Sequence, residues 1–168
     1  MTWLLAPALG VLFCFAIAPY DQWWWSLVSI AGLYMLLERS TLPPVLIAWL
    51  YGLGKFGFGT SWVYVSIHVY GNAPEPLAVV MVVLFTAFES LLFCAPLGWL
   101  YSKLKDAPPT ARAFGLVALL GLMDWLSTWL LTGFPWLFPA SGMMETWLGG
   151  WIPVVGILGT SLLVAATR

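Results

Sequence analysis

An all-α integral membrane protein, a bundle of about six transmembrane helices with both termini on the cytoplasmic side, is what this sequence predicts. Three observations carry that expectation. The chain is 62% hydrophobic and only 8% charged. Its apolar stretches alternate with breaks holding Pro, Gly or charge. Five of its six Lys and Arg residues fall on one side of the series these breaks define. A soluble domain carries roughly 25% charged residues, so too few polar side chains exist here to coat a water-facing surface. The 12 tryptophans and 6 tyrosines fit belts at headgroup level.

The elements follow in order. An apolar run over Trp3–Ala18 ends at Pro19-Tyr20-Asp21. It lacks a basic n-region and a small-residue cleavage site, so it reads as a retained helix, not a signal peptide. Trp24–Leu37 follows and stops at the polar stretch from Glu38 to Pro44. Val45–Val65 ends before Gly71 through Pro76, and Leu77–Leu100 before Asp106 through Thr110. Ala111–Leu131 leads into Gly133 through Glu145, and Leu148–Ala166 closes the series. A span needs about 20 apolar residues, so the first two are short. No repeat or soluble linker appears, and residues 1–168 read as a single transmembrane domain.

Arg39, Lys103, Lys105, Arg112 and Arg168 fall on one side of such a bundle, and the loops on the other side carry no Lys or Arg. Positive charge stays inside, which places the termini in the cytoplasm. Net charge is −1, so no nucleic acid is expected as partner. Cys14 and Cys94 lie in apolar runs without metal or disulfide spacing. No metal and no cofactor is expected.

Lys55, Glu89 and Asp124 fall inside spans, where each charge costs roughly 2.5–3.5 kcal/mol at a helix centre. At about 1.5 Å per residue the three lie near one depth. Each either snorkels to water, or Lys55 pairs with Glu89, Asp124 or both, which offsets part of the burial cost. Gly52, Gly54, Gly57 and Gly59 would let a neighbouring helix come close to the Lys55 segment. A proton path through these charges is the transporter version of the cluster, and the sequence carries no visible inverted repeat to support it.

The stretch GLGKFGFGTSWVYVSIHVYG (52–71), with AIAPYDQW (16–23) and TGFPWL (132–137), resembles the N-terminal membrane region of apolipoprotein N-acyltransferase. The three motifs match in order and spacing over nearly the whole chain. The resemblance implies a multi-pass protein of the bacterial inner membrane, working in lipoprotein maturation. It also implies that the chemistry resides elsewhere, in a periplasmic nitrilase-like domain whose Glu-Lys-Cys triad moves an acyl group from phospholipid to an amine. This sequence ends at Arg168, on the expected cytoplasmic side, and holds no nucleophile–base–acid set of its own. Ser66 and His68 are two apart and do not face each other on a helix.

Within the matched region the resemblance maps Trp62, Tyr64, Phe134, Pro135 and Trp136 onto the rim of a cavity that admits acyl chains from the bilayer. The same aromatics also suit a belt, and Gly133 and Pro135 suit a turn. Departures are specific. Ser127 stands where the family pattern has arginine three residues after the acid Asp124. ASGM (140–143) stands where it has Gly-Tyr-Ser-Gln, and Lys55 and Glu89 stand where it is apolar. A rewired Lys55–Asp124 pair would account for the lost arginine. The expected function is an acyltransferase-like bundle without catalytic residues, packing against phospholipid acyl chains and other transmembrane subunits. The alternative is a short form of the acyltransferase that needs a nitrilase-like domain in cis or in trans.

Overall fold

The structure, a computed structural model, describes residues 2–166. Among the described residues every regular element is helical. We number them α1 (Thr2–Cys14), α2 (Trp24–Arg39), α3 (Pro44–Gly59), α4 (62–70), α5 (Glu75–Ser102), α6 (Pro109–Leu126) and α7 (Trp147–Ala166). Two of these, α5 and α7, are long and apolar enough to cross a membrane by that measure alone. Only 28% of the most apolar stretch of α5 is buried, and Val80, Val83, Leu84 and Leu91 are exposed along it. A core helix of a soluble protein would hide these side chains. Arg168, counted above in the charge bias, lies outside the described residues.

Helix ends follow local chemistry. Pro43-Pro44 and Pro108-Pro109 open α3 and α6, where a missing N–H costs nothing because the first turn has no partner for it. The first helix stops at Cys14, short of the expected Ala18. Phe15, Ala16 and Ile17 donate to carbonyls three residues back, which tightens the chain into turns. The third stops at Gly59, where the Thr60 hydroxyl donates to the Phe56 carbonyl at 2.7 Å. The chain then resumes as α4, α-helical over Trp62–Val65 and π-helical over Ser66–Tyr70. The sixth stops at Leu126, short of Leu131. Ser127 and Thr128 hydroxyls donate to the Asp124 and Trp125 carbonyls at 2.7 and 2.6 Å, which ends the helical ladder.

Within α5, Ser90–Cys94 forms a π turn just ahead of Pro96. Proline has no N–H to give and crowds the carbonyl four residues back, so the wider turn relieves that clash. Midway along α7, Gly156 takes φ +73°, which interrupts the helix.

Glycine sets the closest crossings: of the four expected on the Lys55 segment, Gly52 and Gly54 each lie at one, whereas Gly57 meets only Thr86 at 3.5 Å and Gly59 the Leu137 and Cys14 side chains. A Cβ on Gly10 would strike the α3 backbone at Tyr51 and Lys55, and one on Gly54 would strike the α1 backbone at Pro7. Gly52 faces the Ser90 and Cys94 side chains, and Gly98 faces the Pro44 backbone. With Cys14 beside Gly59 and Pro7 beside Gly54, α1 runs parallel to α3, and the Gly52 and Gly98 contacts run α5 antiparallel to it. The Ser90 hydroxyl also donates to the Trp49 carbonyl at 2.5 Å. One core, with Leu33, Ile47, Tyr51, Leu97 and Leu116, joins α2, α3, α5 and α6. A second, with Phe13, Ile30, Phe56, Phe93 and Leu137, lies towards the other end.

The two ends of the bundle differ. At one, Arg112 on α6 bonds Glu38 on α2 at 2.6 Å, and the Tyr101 hydroxyl on α5 donates to the same carboxylate at 2.5 Å. Arg39 at the end of α2 and the loop carrying Lys103 and Lys105 lie at this end. The opposite end gathers Pro19, Tyr20, Trp62, Pro135 and Phe138, from segments that hold no Lys or Arg.

Candidate functional site

The TGFPWL loop owes its shape to backbone that few residues adopt. Leu131, Thr132 and Gly133 all have positive φ, Gly133 at +82°. A Cβ on Gly133 would meet the Thr128 carbonyl. The Phe134 N–H then reaches back to the Ser127 carbonyl at 2.7 Å, and the Trp136 N–H to the Phe134 carbonyl at 2.8 Å. The loop folds back over the end of α6 and presents its aromatics between α3, α4 and α5. Phe134 meets Phe85 edge-on at 5.3 Å, and Trp136 meets Trp62 at 5.4 Å.

Two cavities adjoin this loop, and Trp136 walls both. The outer one, about 500 Å³, is a groove lined by Tyr20, Phe58, Trp62, Pro135, Trp136, Phe138 and Ile157. The structure therefore brings together three of the five expected rim residues, Trp62, Pro135 and Trp136. Phe134 faces the inner cavity instead. Tyr64 lines neither, and its ring lies 5.3 Å from His68. Sequence reasoning missed Tyr20, Phe58, Phe138 and Ile157. The quoted AIAPYDQW motif contains Tyr20 and was the available signal.

The inner cavity, about 40 Å³, lies between α3, α5, α6 and the loop. Lys55, Asp124 and Ser127 line it together with Cys94, Phe134 and Trp136. The structure thus brings Lys55 and Asp124 to one place, yet they make no direct ion pair. Among the described residues the ion pair present is Arg112–Glu38. The Lys55 ammonium sits over the Phe13 ring at 4.5 Å from its centre, with Phe56 at 5.8 Å. A cation held against ring faces is stabilised by roughly 0.5–2 kcal/mol. Glu89 is not part of this cavity. It is 6% exposed, and its Oε2 has no hydrogen-bond partner, so the expected contact between Lys55 and Glu89 does not form.

The remaining candidates are local. His68 Nδ1 is 2.8 Å from the Ala73 carbonyl, closing the turn after α4. The Cys14 thiol donates to the Lys55 carbonyl at 3.2 Å. Among the described residues no three His, Cys, Asp or Glu side chains are grouped to hold a metal ion.

Residues 9–168 match the family described as Apolipoprotein N-acyltransferase N-terminal domain. The chain belongs to the apolipoprotein N-acyltransferase family. It is 40% identical over 165 residues to the apolipoprotein N-acyltransferase of Pseudomonas paraeruginosa, covering 96% of this chain and 32% of that protein. It is 38% identical to the enzyme of Pseudomonas syringae pv. tomato, covering 98% of this chain and 33% of that one. It is 41% identical to that of Coxiella burnetii, covering 98% and 34%. The chain therefore spans about a third of the length of the acyltransferases it matches. The resemblance drawn from 16–23, 52–71 and 132–137 is the family shown.

Proposed function

We propose that this chain is the membrane bundle of lipoprotein N-acylation, holding phospholipid acyl chains in the outer groove and supplying no nucleophile itself. Its helices cross the bacterial inner membrane about six times, with the Arg112–Glu38 end in the cytoplasm and the aromatic end outward. The observation that carries this reading is the 500 Å³ groove walled by Trp62 and Trp136. It lies at the end of the bundle free of Lys and Arg, and residues of all three matched motifs, 16–23, 52–71 and 132–137, line it. Apolar walls suit hydrocarbon, and tryptophan suits the boundary with headgroups. The exposed apolar face of α5 supports contact with lipid or with other transmembrane helices.

Such a bundle works in one of two settings, beside a nitrilase-like domain or as a non-catalytic subunit of a larger membrane assembly. Identity near 40% along 96% of the chain, over 32% of the relative, is consistent with both. A strain depleted of its own N-acyltransferase, supplied with this chain and a separate nitrilase-like domain, tests the first. Triacylated lipoprotein detected by mass spectrometry supports the first setting. Stoichiometric co-purification with a multi-subunit complex and no acylation supports the second. A photoactivatable phospholipid that labels neither Trp62 nor Trp136 overturns the groove assignment in both.

A further inference from the structure

We infer that Lys55 and Asp124 form a water-bridged ion pair inside the inner cavity, with Ser127 as the third polar partner and Trp136 as the lid. Both charged side chains line the same space and neither touches the other within ion-pair distance. An isolated charge at this depth is costly, and opposite charges facing one cavity stabilise each other once the gap is filled by a polar medium. The cavity holds about two or three waters by volume. A buried water needs two to four polar partners, and the lining provides them. Lys55 carries three donors and Asp124 carries acceptor oxygens. The Ser127 hydroxyl gives its proton to the Asp124 carbonyl at 2.7 Å, which leaves its oxygen to accept. The Phe13 ring, which does not line the cavity, holds the ammonium at 4.5 Å. This site is independent of the groove assignment, because it concerns hydration of the interior and not the lipid outside Trp136.

Two measurements on the full chain in detergent test it. The first is a thermal double-mutant cycle of Lys55→Met, Asp124→Asn and the pair. Each single change lowers the midpoint by about 5 °C, and the double change lowers it by clearly less than the sum. Additive losses overturn the pairing. The second is radiolytic labelling of the unmodified protein in oxygen-18 water, which needs no variant to fold. Met123 lines the cavity at 7% exposure, while Met143 is 0% exposed and lines none of the cavities described above. Oxygen-18 sulfoxide at Met123 severalfold above that at Met143 is the expected result. Equal labelling at the two methionines shows a dry cavity and overturns the water bridge, whatever the cycle reports.

Discussion

The indoles of Trp62 and Trp136 lie 5.4 Å apart with their planes tilted by 49°. Through that contact the segment after α3 and the loop after α6 meet over the mouth of the groove. Both rings are nearly half exposed, at 45% and 47%, so their shared face is a wall and not a core.

Aromatic pairs of this kind couple by about 0.5–1.5 kcal/mol. Trp62→Ala and Trp136→Ala should therefore cost less together than separately by about that amount, measured by thermal unfolding in detergent. Labelling by a photoactivatable phospholipid should fall in each single variant. Unchanged labelling in both would show that the groove is not where acyl chains bind.

Gly133→Ala should disturb the same site from the backbone. A side chain at φ +82° costs about 1–2 kcal/mol, and here it also meets the Thr128 carbonyl. Limited proteolysis between 130 and 137 should accelerate while the rest of the bundle stays protected. An unaltered cleavage pattern would refute the strain argument.

The crossing of α1 and α3 predicts a sharper effect. Gly10→Leu or Gly54→Leu places atoms where the partner backbone already lies. Overpacking of this kind costs about 1–3 kcal/mol, and more when backbone must move. Gly57→Ala is the control, because its Cβ would meet only Thr86 at an ordinary 3.5 Å. Thermal midpoints should separate the first two from the third.

At the opposite end, Tyr101→Phe removes a hydrogen bond to the Glu38 carboxylate, which also holds Arg112. Bonds to charged groups contribute about 1.5–3 kcal/mol. The variant should lose stability in that range. Glu38→Gln should lose more, because it leaves Arg112 without its counter-charge. Equal losses would mean that the ion pair contributes little.

Glu89 predicts a gain. Its buried carboxylate oxygen lacks a partner, and an unsatisfied buried polar atom costs about 1–3 kcal/mol. Glu89→Met, of similar volume, should raise the thermal midpoint. A fall would show that Glu89 has a partner in the bilayer-embedded protein.

The elements show how far a linear reading reaches. The helical class, the closeness permitted by Gly54, and the bend at Gly133 were all legible in local residue types. Ends were less so. Hydropathy carries Ala111–Leu131 past Leu126, whereas the Ser127 and Thr128 hydroxyls claim the last carbonyls and stop the helix there. Of the residues expected together, Trp62, Pro135 and Trp136 line one groove, while Tyr64 turns to His68. Tyr20 and Ile157 joined them from segments distant along the chain.

What the sequence by itself determined was the apolar character, the sidedness of Lys and Arg, and membership of the family. Each of these sums over neighbouring residues or over motifs of fixed spacing. What only the tertiary structure decided was partnership. Lys55 meets Phe13 and shares a cavity with Asp124, Glu89 leaves its buried Oε2 without a hydrogen-bond partner, and Arg112 finds Glu38. A helix turns its side chains by about 100° per residue, so small changes in rotation and crossing redirect a charge entirely. Depth along a helix can be counted in the sequence, but direction is set by packing.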